Sequence, residues 1–175
     1  LINRIQNFNE NNMARSKKIK CNGRIKFGGK YNFKQGDIGN CYFVCALILL
    51  NRYCPHILRK SVTKYSDEEY KIIFWKKNKK RNRLNKIKKH EIIVDNSIWY
   101  YTKQYDDDET EVYLQSNNNI FKIIEKAWAV FKSNKLYKNL TYDPLDNGGD
   151  TYDAIYALSG IECKTFDAGD LTKTD

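Results

Sequence analysis

The chain has 175 residues, of which 41% are hydrophobic and 30% charged, and its formal net charge is +10. This length allows one domain with a sizeable core, and the lack of a long apolar stretch or a signal peptide excludes a membrane span and predicts a soluble, intracellular protein. The five cysteines are odd in number and lack metal-site spacing, which predicts a reducing compartment such as the cytoplasm.

The positive charge is concentrated in two segments. Residues 1–30 contribute +7 and residues 76–89 contribute +9, so the rest of the chain carries −6. We interpret residues 1–30 as a basic N-terminal extension, partly disordered, and residues 76–89 as a solvated loop. Nuclear import is a weaker interpretation of the second segment. Nucleic acid is not an expected partner, because that segment has no aromatic residues among its basic ones.

A loop with two glycines leads into an unbroken apolar run in QGDIGNCYFVCALILL, residues 35–50. The run is too short to cross a bilayer and apolar on every side, which predicts a central buried helix over residues 41–53. Asn40 is a good N-cap residue, which places Cys41 in the first turn. There the helix dipole and unpaired N–H groups favour the thiolate, the form in which cysteine acts as a nucleophile.

Gln35, six residues before Cys41, supplies a second group that acyl transfer needs. Its side-chain amide can donate a hydrogen bond to the oxyanion of a tetrahedral intermediate, together with a backbone N–H near Cys41. A single cysteine usually packs as a small core residue. Gln, two Gly and Cys at this spacing before an aliphatic helix favour the catalytic interpretation. Cys45, one turn after Cys41, is expected to be buried.

The rest of the chain changes from a period typical of strands to one typical of helices. The predicted elements are strands at 70–75, 91–95 and 112–114 and helices at 120–133 and 151–158. We expect the acidic run at 106–111 to be a surface loop, and Lys122, Glu125 and Lys126 to face outward from the 120–133 helix. Asp150 and Gly160 are expected to cap the last helix. Together these elements predict an α+β domain with a small antiparallel sheet.

The stretch QGDIGNCYFVCAL resembles the Gln-Gly-x-x-Gly-x-Cys active-site block of calpains, a family of papain-like cysteine proteases. The blocks IIVD, IIEKAWAVF and GGDTYDAIYALSG are similar to those of the first subdomain of the calpain catalytic core, in the family's order. The resemblance covers about residues 31–166, places the first subdomain at residues 31–175 and makes the basic loop at 76–89 an insertion. Tyr42 stands where calpains usually have Trp.

The resemblance implies an intracellular cysteine endopeptidase that cleaves polypeptides through a thioester on Cys41, with Gln35 in the oxyanion hole. A papain-like thiol also needs a His base that is oriented by Asn. If helical, His56 lies about 20 Å along the axis from Cys41, and His90 adjoins the basic loop. In calpains the His and Asn come from a second subdomain, which is therefore an expected partner. This chain alone is expected to be inactive.

Two alternatives to the protease stay open. The first is a pseudoprotease, a catalytically inactive calpain-like interaction domain, and the weaker second is a nucleic-acid binder that uses residues 1–30 and 76–89. Calcium is a separate question, because calpains bind calcium in this subdomain partly through two carboxylates. Those positions are Asn32 and Asn118 here, and uncharged amides bind calcium more weakly. Calcium is thus expected from the family alone, with its switch weakened or lost in this half.

Overall fold

The computed structural model describes residues 15–21, 25–36, 38–77, 87–102, 109–111, 114–133, 145 and 147–164. Within these residues the chain forms eight strands and four helices, which confirms the predicted α+β class. In chain order they are β1 (Arg15–Lys18), β2 (Phe33–Lys34), α1 (Cys41–Tyr53), α2 (Pro55–Ser61), β3 (Val62–Lys64), β4 (Glu69–Lys77), β5 (Ile87–Asp95), β6 (Ser97–Thr102), β7 (Glu109–Glu111), β8 (Gln115–Ser116), α3 (Ile120–Ser133) and α4 (Thr151–Ser159).

Helix α1 has the predicted bounds and packs against α2 and α4. It contributes Phe43, Leu47 and Leu50 to the core. Pro55 opens α2, because proline fits the first turn of a helix but cannot continue the preceding one. In the part of the chain that the structure describes, no single helix is long and apolar enough to cross a membrane. Helices α1 and α2 reach that length only jointly and are bent by 111° relative to each other.

Helix α3 also has the predicted bounds, but its polar side is not outside. Lys122, Glu125 and Lys126 are all buried, so the expectation that they face solvent is wrong. The reason is that α3 lies against strands β4, β5, β6 and β8, which leave no broad solvent face. Such buried charges require partners, and both Glu125 and Lys126 have them.

The main sheet consists of β3, β4 and β5, all antiparallel. Pairing between β4 and β5 runs from Glu69↔Asp95 to Lys77↔Ile87. The hairpin is therefore longer than predicted, and residues 76–77 and 87–89 are strand rather than loop. The two strands stay in register beyond their apolar segments, since backbone pairing does not require apolar side chains. Residues 78–86 lie outside the described part of the chain.

Two smaller sheets, β1–β6–β7 and β2–β8, join distant parts of the chain. Strand β1 lies within the predicted N-terminal extension, and Ile19 and Phe27 from the same segment are buried in the core. Residues 1–14 and 22–24 are not described, so the division of the chain at residue 30 stays a prediction.

The acidic run and the third predicted strand also differ from expectation. The end of the run forms β7, because it pairs with β6, so this part is strand rather than loop. Leu114 is described outside any strand, and strand pairing resumes at Gln115 in β8. Residues 103–108 and 112–113 are not described.

Helix α4 begins after Asp150 and ends at Gly160, as predicted, although no hydrogen bond from the Asp150 side chain caps it. Gly160 has φ 71°, a left-handed conformation that closes the helix. A Cβ placed on Gly160 would lie 3.0 Å from the Trp75 ring, so this glycine also permits close contact between α4 and β4.

Gly148 provides a matched control for Gly160. It has φ 68°, but nothing lies within 4 Å of a Cβ placed on it. We expect Gly148→Ala to lower the free energy of unfolding by about 1 kcal/mol through backbone strain alone. Gly160→Ala should cost about 2–4 kcal/mol, because the Trp75 ring must also move. Urea denaturation of both variants measures this, and equal losses would show that the Trp75 contact contributes nothing.

Candidate active site

The loop from Gln35 to Asn40 is closed around the carbonyl oxygen of Ile38. That oxygen accepts a hydrogen bond from Gln35 Nε2 at 2.6 Å and another from the Asn40 backbone N–H at 2.8 Å. Ile38 itself is buried and anchors the loop in the core. The Gln35 side chain is therefore folded back onto the loop that leads directly into Cys41.

Asn40 stands at the N-cap position of α1, as predicted, but its side chain does not cap the helix. The Asn40 carbonyl accepts the first helical hydrogen bonds, from the N–H groups of Phe43 and Val44 at 2.9 and 3.2 Å. Its side chain is fully buried, and Nδ2 donates to Glu125 Oε1 at 2.6 Å. The buried carboxylate attracts this amide because Glu125 otherwise lacks the solvation that a charge requires.

Glu125 was missed as a site residue because its helical position indicated a solvent face. It is 1% exposed, and Oε2 accepts a hydrogen bond from the Leu114 backbone N–H at 2.8 Å. Burial raises the pKa of Glu125 to about 7, although the hydrogen bonds from Asn40 and Leu114 and the charge of Lys122 oppose the shift. Glu125 thus connects α3 to the start of α1.

Cys41 is the first residue of α1 and is exposed. Cys45 is exposed as well, so the prediction that it is buried is wrong. Residues four apart share one face of a helix, and Leu49 and Tyr53 continue this face with exposed fractions of 41% and 67%. We call Cys41, Cys45, Leu49 and Tyr53 the open stripe. The helix is apolar all round, but no described element covers this side.

Tyr42 packs inward beside Cys41. Its hydroxyl accepts a hydrogen bond from Trp128 Nε1 at 3.2 Å, and the neighbouring Phe43 ring stacks on Trp128 with centroids 4.8 Å apart. Burial raises the pKa of Tyr42. A Cβ on Gly149 would lie 2.8 Å from the Tyr42 ring, so only glycine allows the segment before α4 this close. These contacts hold the first turn of α1 in place.

The two histidines lie on elements other than the helix that carries Cys41. His56 is exposed on α2, and His90 lies on β5 with its ring edge-on to Phe131 at 5.6 Å. Burial lowers the pKa of His90, with a smaller contribution from the charges of Lys88 and Lys76. Among the described residues, neither histidine hydrogen bonds to Cys41, so the described contacts provide no base for its thiol.

Asn32 and Asn118 lie near each other because β2 pairs with β8. The Asn32 N–H donates to Asn117 Oδ1 at 3.1 Å. Asn118 Oδ1 accepts from the Ile120 N–H at 3.2 Å, and Asn118 Nδ2 donates to the Lys26 carbonyl at 3.1 Å. The Asn118 side chain is therefore occupied by backbone groups. The described residues contain no cluster of His, Cys, Asp or Glu that could hold a metal, and uncharged amides such as those of Asn32 and Asn118 bind calcium more weakly than carboxylates do.

Comparison with known protein families gives one finding. A family model described as calpain family cysteine protease matches residues 4–175, nearly the whole chain. No curated protein and no solved structure gives a significant match.

The raised pKa of Glu125 predicts a pH dependence of stability. Because the folded state favours the protonated carboxyl, this group stabilises the fold fully below about pH 4.5, and the contribution is lost as the pH rises through about 7. Glu125→Gln keeps the side chain neutral at every pH, so this variant should not lose that stability. Between about pH 4.5 and 7 its free energy of unfolding, relative to that of the wild type, should rise by on the order of 3 kcal/mol.

Urea denaturation between pH 5 and 8 measures this difference. The control is Glu91→Gln, since a hydrogen bond from Lys89 holds the pKa of Glu91 below its usual range and the change should leave this part of the profile unaltered. Parallel profiles for wild type and Glu125→Gln would contradict the prediction.

Proposed function

The chain belongs to the calpain family of cysteine proteases, and on this premise we propose that it supplies the nucleophile and the oxyanion-hole donor of a calpain-type endopeptidase. Cys41 is the proposed nucleophile and Gln35 the proposed donor. The observation that carries the proposal is the exposed Cys41 at the first residue of α1, directly after a loop onto which Gln35 is folded.

The chemistry proposed for Cys41 is acyl transfer. The thiolate attacks the carbonyl carbon of a peptide bond, a C–S bond forms, and an electron pair moves onto the carbonyl oxygen. The side-chain amide nitrogen of Gln35 carries two N–H groups. One can donate to the Ile38 carbonyl and the other to this oxyanion. Collapse of the intermediate breaks the C–N bond, and the amine leaves with a proton from an acid. Water then hydrolyses the thioester.

The acid and base are proposed to come from a second subdomain of the protease core. The open stripe on α1 supports this, because contiguous exposed apolar side chains mark surfaces that are covered by a partner. Cys41 belongs to the same stripe, so a subdomain that covers Leu49 and Tyr53 is positioned to place a His against the thiol. The substrate is then a polypeptide held between the two subdomains.

We further propose that this half functions without calcium and in a reducing compartment such as the cytoplasm. The uncharged Asn32 and Asn118 stand at the positions of the family's carboxylates, and both polar atoms of the Asn118 side chain are hydrogen-bonded to the backbone. All five cysteines are free, as expected of a protein kept reduced.

Activity should require the second subdomain. This chain alone should not hydrolyse a fluorogenic peptide, because none of its described groups can protonate the leaving amine. In the protein that includes the second subdomain, Cys41→Ala should abolish turnover and Gln35→Ala should lower kcat by about 10²-fold. Cys163→Ala, a cysteine after α4, is the control and should keep full activity.

Two results would change this assignment. Turnover by the chain alone that is lost in Cys41→Ala would mean that His56 or His90 supplies the base. A complete protein that binds polypeptides but never cleaves them would identify a pseudoprotease.

Calcium independence has a separate test. Calcium chloride, compared with a chelator, should not change the Tm of the wild-type chain. The double variant Asn32→Asp, Asn118→Asp should acquire a Tm that rises with calcium, because two neighbouring carboxylates restore charged oxygen ligands. Magnesium chloride is the control cation. A rise of the wild-type Tm with calcium but not magnesium would show that the amides suffice.

A further inference from the structure

A second concave site lies apart from the loop that carries Gln35 and Cys41. It is a pocket of about 710 Å³ between the outer part of the β4–β5 hairpin, the end of α3 and one side of α4. Neither Gln35 nor Cys41 is among its lining residues. The proposed peptidase activity leaves this pocket without a role.

Aromatic rings form the wall of the pocket. Trp128 and Phe131 are stacked with centroids 5.4 Å apart, and His90 meets Phe131 edge-on. Trp75 and Phe131 are each only half-buried, so ring surface remains open to a ligand. Tyr156, which also lines the pocket, is 8% exposed, and its hydroxyl has no hydrogen-bond partner among the described residues.

Trp75 lies at the edge of the pocket, on the face of β4 opposite to Lys76, because successive strand residues point to opposite faces. One side of its ring lies against Gly160, where a Cβ would approach the indole to 3.0 Å. The ring surface on the lysine face of the hairpin is therefore that of Phe131 and His90.

Lysines surround the aromatic wall. Lys76 and Lys88 are direct cross-strand partners, and neither makes an ion pair with another described residue. Like charges in this position repel each other, so a bound anion would relieve the repulsion. Lys132 Nζ lies 5.6 Å from the centroid of the Trp128 ring. Asp153 is the one carboxylate among the described lining residues.

We propose that this pocket binds a nucleoside phosphate. The base would lie against Phe131 and His90, which share a face of the hairpin with Lys76 and Lys88, and the phosphate would lie on these two lysines. Bases stack on aromatic side chains, and lysines hold phosphate as point charges. The volume of about 710 Å³ falls in the range of small-molecule sites. A free nucleotide and one nucleotide of a single strand present the same chemistry. The inference does not depend on the proposed function, since it concerns binding and not peptide cleavage.

The test is isothermal titration calorimetry on the chain with ATP, adenosine and inorganic tripolyphosphate. ATP should bind at least about tenfold more tightly than either of the others, because only ATP combines ring and anion. Phe131→Ala and the double variant Lys76→Glu, Lys88→Glu should each weaken ATP binding by about tenfold or more. The matched controls, Tyr65→Ala and the double variant Lys60→Glu, Lys64→Glu, change exposed residues outside the pocket and should bind ATP as the wild type does.

The source of the ligand follows from a fluorescein-labelled RNA of ten uridines. Tighter binding of this RNA than of UTP, lost in the lysine variant, identifies a single strand, and equal or weaker binding identifies a free nucleotide.

Equal binding of ATP and tripolyphosphate, or of ATP and a polyglutamate peptide, would overturn the proposal in favour of a simple charge patch. Lys76 and Lys88 are exposed, so their variant tests the inference even where Phe131→Ala does not fold.

Discussion

The hydrogen bond of 2.6 Å from Asn40 to the buried carboxylate of Glu125 determines how the candidate active site is held. Asn40 directly precedes Cys41, and the other carboxylate oxygen accepts the N–H of Leu114, which directly precedes β8. Strand β8 pairs with β2, which ends just before Gln35. One side chain of α3 therefore anchors both ends of the loop between Gln35 and Cys41. The relative position of Gln35 and Cys41 therefore depends on the Glu125 carboxylate, and the loss of this group would leave buried polar atoms without partners.

Lys126, the residue after Glu125, anchors α3 to the turn between β5 and β6. Lys126 Nζ lies 2.5 Å from Asp95 Oδ1 and 2.8 Å from the Ser97 carbonyl, at the turn between β5 and β6. Burial tends to raise the pKa of Asp95, but hydrogen bonds from Lys126 and Ser97 outweigh it and hold that pKa below its usual range. Lys126 is buried and Asp95 is only partly so, and removal of Asp95 is therefore costly because it leaves the buried lysine charge uncompensated. Helix α3 thus joins the loop between Gln35 and Cys41 to the sheet through polar contacts as well as apolar packing.

Helix α1 has two roles on two sides. Its inner side, with Phe43 and Leu47, belongs to the core, while the open stripe carries Cys41 and continues to Tyr53. A partner that covers the stripe would approach the thiol along the same helix, so docking and completion of the active site would be coupled. The lysine and aromatic pocket is built from the β4–β5 hairpin, α3 and α4, and shares only α3 with the anchoring of the loop.

Local pattern was sufficient for the helices at 41–53 and 120–133, the β4–β5 pairing and the end of α4 at Gly160, because periodicity and glycine conformation act over a few residues. The spacing of Gln35 and Cys41 predicts the chemistry of the site, and those two roles stay a proposal. Tertiary structure alone decided that Glu125 is buried, that Cys45 is exposed and that aromatic rings stand beside the lysines of the hairpin. The physical reason is that burial depends on which other elements cover a face, and elements far apart in the chain provide that cover.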